Sequence, residues 1–103
     1  CGLVINPNLV EAQIESSILW GLTPVLYGGI DVVNGQIKQS NFHNMPLARM
    51  QDCPKMHIKL FNFEDRMPSG VGEFAVVPVA PAISNAIFAA TGKRHRHLHM
   101  HMQ

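Results

Sequence analysis

A carboxylate bracketed by glycines is the first feature able to do chemistry: Ser69-Gly70-Val71-Gly72-Glu73. Glycine carries no Cβ, so both the main chain and the acid can approach a ligand closely, and its freedom at positive φ suits a tight loop. A glutamate there can serve as a general base if it is held within hydrogen-bond reach of the proton it takes. The same residues also read as a solvated surface turn, and spacing alone leaves both readings open. Gln13 is the second polar group of interest, because Gln13, Ser17 and Trp20 fall at i, i+4 and i+7 on the edge of an apolar stripe. An amide there either finds partners or faces water. The third feature is the alternation of His95, His97, His99 and His101 with Arg96, Leu98, Met100 and Met102. In an extended chain the period of two puts the imidazoles on one face, a row suited to zinc, copper or nickel. The alternative is a C-terminal segment that frays or pairs with a partner and whose histidines are inert, since structural metal sites usually draw ligands from more than one element.

The elements that position these groups follow from apolar periodicity. Asn8 followed by Glu11 has the form of a capping box, with Asn in place of Ser or Thr, and predicts a helix start. Val10, Ile14, Ile18 and Leu22 then recur every fourth residue along a helix of about four turns. Gly21, Pro24 and Gly28-Gly29 are expected to break it. Apolar flanks around Asn34-Gly35 predict a tight hairpin. Residues 39–55 read as irregular connection. Met56, Ile58 and Leu60 alternate with His57 and Lys59, which predicts a further strand over 56–63 with His57 facing water. The run from Phe74 to Val79, bounded by Pro78 and Pro81, should pack without forming a long central strand. Pro81 in a first turn, Ile83, Ile87 and Ala90 on one face and Gly92 as terminator describe a second helix. Its alanines permit close packing, and Lys93, Arg94 and Arg96 suit the negative end of its dipole. The expected architecture is α+β: two main helices with a β-hairpin and an additional strand.

Composition excludes several classes of function. At 103 residues, 47% hydrophobic and 15% charged, the chain can fold as one domain but buries a small share of its surface, so an oligomer or an absent partner would stabilise it. A net charge of +1, with no basic stripe interleaved with aromatics, gives no footprint for nucleic acid. No apolar run approaches the length of a membrane span, and no segment has the order of a signal peptide. Cys1 and Cys53 lack CxxC spacing and read as plain thiols, although a single bridge between them is open. A start at Cys1 rather than Met suggests a piece of something longer.

Several motifs, taken in order, carry a resemblance. Cys1-Gly2 with Ile5-Asn6-Pro7, Ala12-Gln13-Ile14-Glu15, Trp20-Gly21-Leu22, Asn34-Gly35, Ser40-Asn41-Phe42-His43, Gly70-Val71-Gly72-Glu73 and Ala80-Pro81-Ala82-Ile83-Ser84-Asn85-Ala86-Ile87 resemble the C-terminal part of the molybdenum hydroxylases. This is the xanthine dehydrogenase and aldehyde oxidase superfamily, and within it the motifs look most like large subunits of the isoquinoline 1-oxidoreductase type. The resemblance covers residues 1–96, a C-terminal fragment of the molybdopterin-binding catalytic domain, and leaves residues 97–103 as a His- and Met-rich tail.

The resemblance implies a large subunit that binds molybdenum in a molybdopterin cofactor, in the cytosine dinucleotide form common in bacteria. It would hydroxylate a carbon of an N-heterocycle or aldehyde with oxygen from water. Glu73 maps onto the general base, Gln13 onto the glutamine whose amide bonds the pterin, and Gly70, Val71 and Gly72 onto the loop pressed against the cofactor. The implied partners are the remainder of the large subunit, a small [2Fe-2S] subunit and a small-molecule substrate, in a bacterial cytoplasm or periplasm. The fragment alone would be inactive, with no cofactor, because most of the cofactor shell lies elsewhere. Two departures stand out: Ser16-Ser17 replaces the usual Gly-Gly after the Gln-x-Glu motif, and the tail runs on past the usual end. The competing reading is a non-catalytic assembly module that dimerises or binds metal through its histidines.

Overall fold

A computed structural model of the chain describes residues 1–98 and Met100. The first element, α1 (Pro7–Leu26), begins two residues earlier than the Asn8 capping box predicts: the N-cap is Asn6, whose side chain accepts the Leu9 N–H at 3.2 Å. The reason lies in the dipeptide. A residue before proline is pushed into extended backbone, and Asn6 sits at φ −137°, ψ 102°, which is what an N-cap needs. Pro7 then occupies a first-turn position where its missing N–H costs nothing. The helix also passes through Gly21 and Pro24, against expectation, and ends after Leu26. Pro24 removes one donor only two residues before the end. The Tyr27 and Gly28 amides both close onto the Thr23 carbonyl at 2.9 Å.

The hairpin forms as the Asn-Gly signal requires. Strands β1 (Val32–Val33) and β2 (Gln36–Ile37) are antiparallel, with Val32 opposite Ile37 and Val33 opposite Gln36. Both turn residues have positive φ, 51° at Asn34 and 75° at Gly35, the geometry of a type I′ turn. Residues 39–55 are irregular apart from one 3-10 turn, Met50–Asp52. That turn is fastened to the end of α1 by the Tyr27 hydroxyl, which donates to Asp52 at 2.7 Å.

The predicted strand over 56–63 is absent. Its alternation survives: Met56, Ile58 and Leu60 are partly buried while His57 and Lys59 are exposed. A period of two reports which side chains share a face, whereas a strand also needs a hydrogen-bonded neighbour, and none is present among the described residues. The second helix, α2 (Val79–Thr91), has Pro81 in its first turn and ends at Gly92, whose φ of 71° and N–H bond to the Phe88 carbonyl at 2.8 Å make the expected left-handed cap. Arg94 lies 3.8 Å above the Phe88 ring.

The core sits where α1 crosses α2, formed by Leu22, Val25, Val79 and Met100, with Ile18, Ile83 and Ile87 packed against it. Gly21 is required at this crossing, because a Cβ there would lie 2.6 Å from Val79 Cγ2. Met100 docks by its amide as well, donating to the Val25 carbonyl at 3.0 Å. This core is small for the chain. The accessible surface is 8279 Å², against roughly 5,800 Å² for a compact monomer of this mass. The radius of gyration is 16.8 Å where about 13 Å is typical of 100 residues.

Candidate active site

The glycine-flanked loop is held at both ends by main-chain carbonyls. At its start, the Ser69 amide donates to the Cys1 carbonyl at 3.1 Å, with the Ser69 hydroxyl at 3.3 Å from the same oxygen. The N-terminal segment is itself laced to residues 62–66: Leu3 N–H to the Arg66 carbonyl at 3.1 Å, Phe63 N–H to the Gly2 carbonyl at 3.2 Å, and Val4 N–H to Asn62 Oδ1 at 2.8 Å. Gly2, at φ 70°, lies so close to the Met67 carbonyl that no side chain fits.

At the far end of the loop, the Ser17 hydroxyl meets two acceptors, the Gln13 carbonyl at 2.8 Å and the Gly72 carbonyl at 2.7 Å. Ser17 is the most deeply buried polar side chain, at 2% exposure. The bond to Gln13 is the i−4 back-bond open to any helical serine. The bond to Gly72 crosses 55 residues of sequence and fixes the peptide immediately before Glu73. Such a bond contributes about 1 kcal/mol net. Ser17 thus ties the main chain of the α1 turn that bears Gln13 to the peptide that precedes Glu73. Ser16, the other serine of the pair, is exposed.

The loop itself is open. Gly70 and Gly72 each have empty space where a Cβ would stand, and neither has positive φ, so backbone strain does not explain the glycines. Both positions are open on the surface. Glu73 is exposed, Val71 is partly buried, and Gln13 is exposed, so the amide takes the water-facing alternative in this chain. After Glu73 the chain turns continuously to α2. The Val76 N–H bonds the Glu73 carbonyl at 3.0 Å, and Ala75 and Val79 are buried while Phe74 and Val77 stay exposed, as expected of a run that packs without pairing.

The histidines are divided. His95 is partly buried and its carbonyl accepts the Ser84 hydroxyl at 2.8 Å, His97 is exposed, and His99 and His101 lie outside the described residues. Among the described residues no three His, Cys, Asp or Glu side chains gather closely enough to hold a metal. Cys1 and Cys53 are free, exposed thiols. No helix among the described residues is long and apolar enough to cross a membrane. The sequence places Ser17 on the edge of the apolar stripe and marks it as a departure from a motif, without giving it a role. The signal for its role was its place four residues after Gln13 on the edge of the apolar stripe.

Comparison with known proteins supplies the class. The chain belongs, as a segment, to the xanthine dehydrogenase family of molybdenum hydroxylases and related oxidoreductases. It is 37% identical over 96% of its length to the isoquinoline 1-oxidoreductase subunit beta of Brevundimonas diminuta. It is 39% identical over 94% of its length to the membrane-bound aldehyde dehydrogenase [pyrroloquinoline-quinone] of Gluconacetobacter polyoxogenes. To the xanthine dehydrogenase molybdenum-binding subunit of Escherichia coli O157:H7 it is 28% identical over 88% of its length. The chain spans only 12 to 13% of the length of these relatives. No protein-family model matches it.

Proposed function

We propose that residues 1–96 form the C-terminal part of the catalytic domain of a molybdenum hydroxylase large subunit, with residues 97–103 as an appended tail, and that Glu73 is its general base. The observation that carries this reading is the tie, through Ser17, between the main chain at Gln13 and the peptide before Glu73, beside two glycines that face open space. A molybdopterin cofactor, in the cytosine dinucleotide form, supplies the two-electron acceptor for inserting water-derived oxygen into the substrate. The chain supplies the rest from its own groups. Glu73 takes a proton, which requires a carboxylate placed by a fixed loop. The Gln13 amide, exposed and anchored to a rigid helix, donates to and accepts from the pterin edge, and Gly70, Val71 and Gly72 present bare backbone to it. The substrate is an N-heterocycle or an aldehyde, the two classes that the names of the relatives span. Electrons leave through a small [2Fe-2S] subunit. The chain by itself is inactive, since a single exposed loop and one helix face cannot enclose a cofactor.

The reading is tested by turnover of the full-length subunit with its electron-accepting partner in ¹⁸O-labelled water. Label in the hydroxylated product and stoichiometric molybdenum support it. A subunit that holds quinone without molybdenum would replace it with the cofactor in the name of the Gluconacetobacter relative, and unlabelled product would remove the water-derived oxygen.

A further inference from the structure

We propose that Ser17 is a positioning residue that locks the catalytic loop to the cofactor-binding helix, an inference that rests on the assignment of Glu73 as base. Three observations converge on it. The Ser17 side chain is 2% exposed, so its hydroxyl is withdrawn from water and satisfied only by protein. It has two acceptors at hydrogen-bonding distance, and they belong to the two elements that the site needs together: the turn of α1 bearing Gln13 and the peptide preceding Glu73. The Val76 N–H bond to the Glu73 carbonyl holds the chain just after the loop, and since Gly70 and Gly72 contribute no side chains, Ser17 is the side chain that fastens the Gly72 end to α1.

The chemistry explains why a hydroxyl suits this position. Two carbonyl oxygens facing each other repel, and a single O–H between them turns that repulsion into a bridge. Its proton can serve either acceptor, so the loop is held without being rigidly fixed to one geometry. Where the related motif has glycine, the same spot lacks this bridge, and the loop there must be held in another way. In this chain the serine sets how far the Glu73 backbone stands from the face of the helix. A displacement of about 1 Å at a catalytic group is enough to cost up to a hundredfold in rate. Ser17 touches no reacting atom and acts only through Glu73.

The test uses the full-length subunit with and without cofactor. In Ser17→Ala, hydrogen exchange of the cofactor-free subunit should accelerate about five- to tenfold within residues 70–76, while the rest of α1 is unchanged. In the holoenzyme kcat should fall about ten- to hundredfold, with KM and molybdenum content held within about twofold. If Ser17→Ala does not fold, Ser17→Cys, similar in volume but a weak donor, gives the same comparison. Unchanged exchange in 70–76, or a loosened loop with normal kcat, would overturn the inference. The parallel variant Glu73→Gln separates the two claims. Full activity there removes the base assignment, whereas an inactive Glu73→Gln beside an unaffected Ser17→Ala removes only the role of Ser17.

Discussion

A buried serine hydroxyl that bridges the Gln13 and Gly72 carbonyls decides how Glu73 is presented. The glycines and the ordered motifs single out Glu73 as a candidate in the sequence; the bridge carries no such mark, because a contact across 55 residues has no local signature. The reason for the glycines also changed: neither adopts positive φ, so their value is space. Gln13 carries its own prediction. If its exposed amide contacts the pterin, Gln13→Ala in the full-length subunit should lower cofactor occupancy, read as molybdenum per protein, while the thermal midpoint of the cofactor-free subunit stays put. Equal occupancy in both would detach Gln13 from the cofactor. At a distance from this site, Asp52 is held below the usual carboxylate range, chiefly by the Arg49 amide and then by the Tyr27 hydroxyl. Tyr27 is raised in turn, first by its bond to Asp52. The signs are opposite. The Asp52 contribution is present above its unfolded pKa of about 4 and is lost as pH falls, and that of Tyr27 is present below about 10 and is lost as pH rises. Tyr27→Phe should therefore reduce exchange protection of residues 49–53 at neutral pH, a difference that shrinks as pH falls below about 4.

At the scale of elements, the sequence was most readable where a local rule has one solution. Asn34-Gly35 specified its turn, and Gly92 its cap. The helix start was misread by two residues because Asn8 fits a capping pattern, yet Asn6 is forced into the capping conformation by the proline that follows. Of the two expected breakers, Pro24 is tolerated because it lies only two residues before the helix end, and Gly21 for a tertiary reason. Packing of α1 on α2 outweighs the loss of about 1 kcal/mol that a helical glycine brings, and the missing side chain is what lets Val79 approach. Gly21→Ala should therefore destabilise the full-length subunit, although alanine is the better helix former. The gain in propensity is about 1 kcal/mol, the overpacking cost about 1–3 kcal/mol, and a lowered denaturant midpoint would show which wins. The strand expected over 56–63 kept its alternation and lacked its ladder, since sequence shows a face without showing the neighbour that pairs with it.

On the scale of the molecule, the chain presents more than it covers. Val32, Val33 and Ile37 of the hairpin are all exposed, as are Trp20 and Phe74. An isolated two-stranded hairpin is marginal in water, and a surface this large for its mass calls for further protein around it. The relatives, of which the chain spans about an eighth, are long enough to supply that protein. Produced alone, the 103-residue chain should bind an apolar-surface dye and melt without a sharp transition. A cooperative melt with no dye binding would show that it is self-sufficient. The central claim is tested most directly by the reductive half-reaction of the full-length holoenzyme carrying Glu73→Gln, mixed with substrate in the absence of an electron acceptor. Expected are normal molybdenum content and cofactor reduction slowed by about two to four orders of magnitude, the usual worth of a positioned general base. Reduction at the wild-type rate with cofactor in place would contradict it.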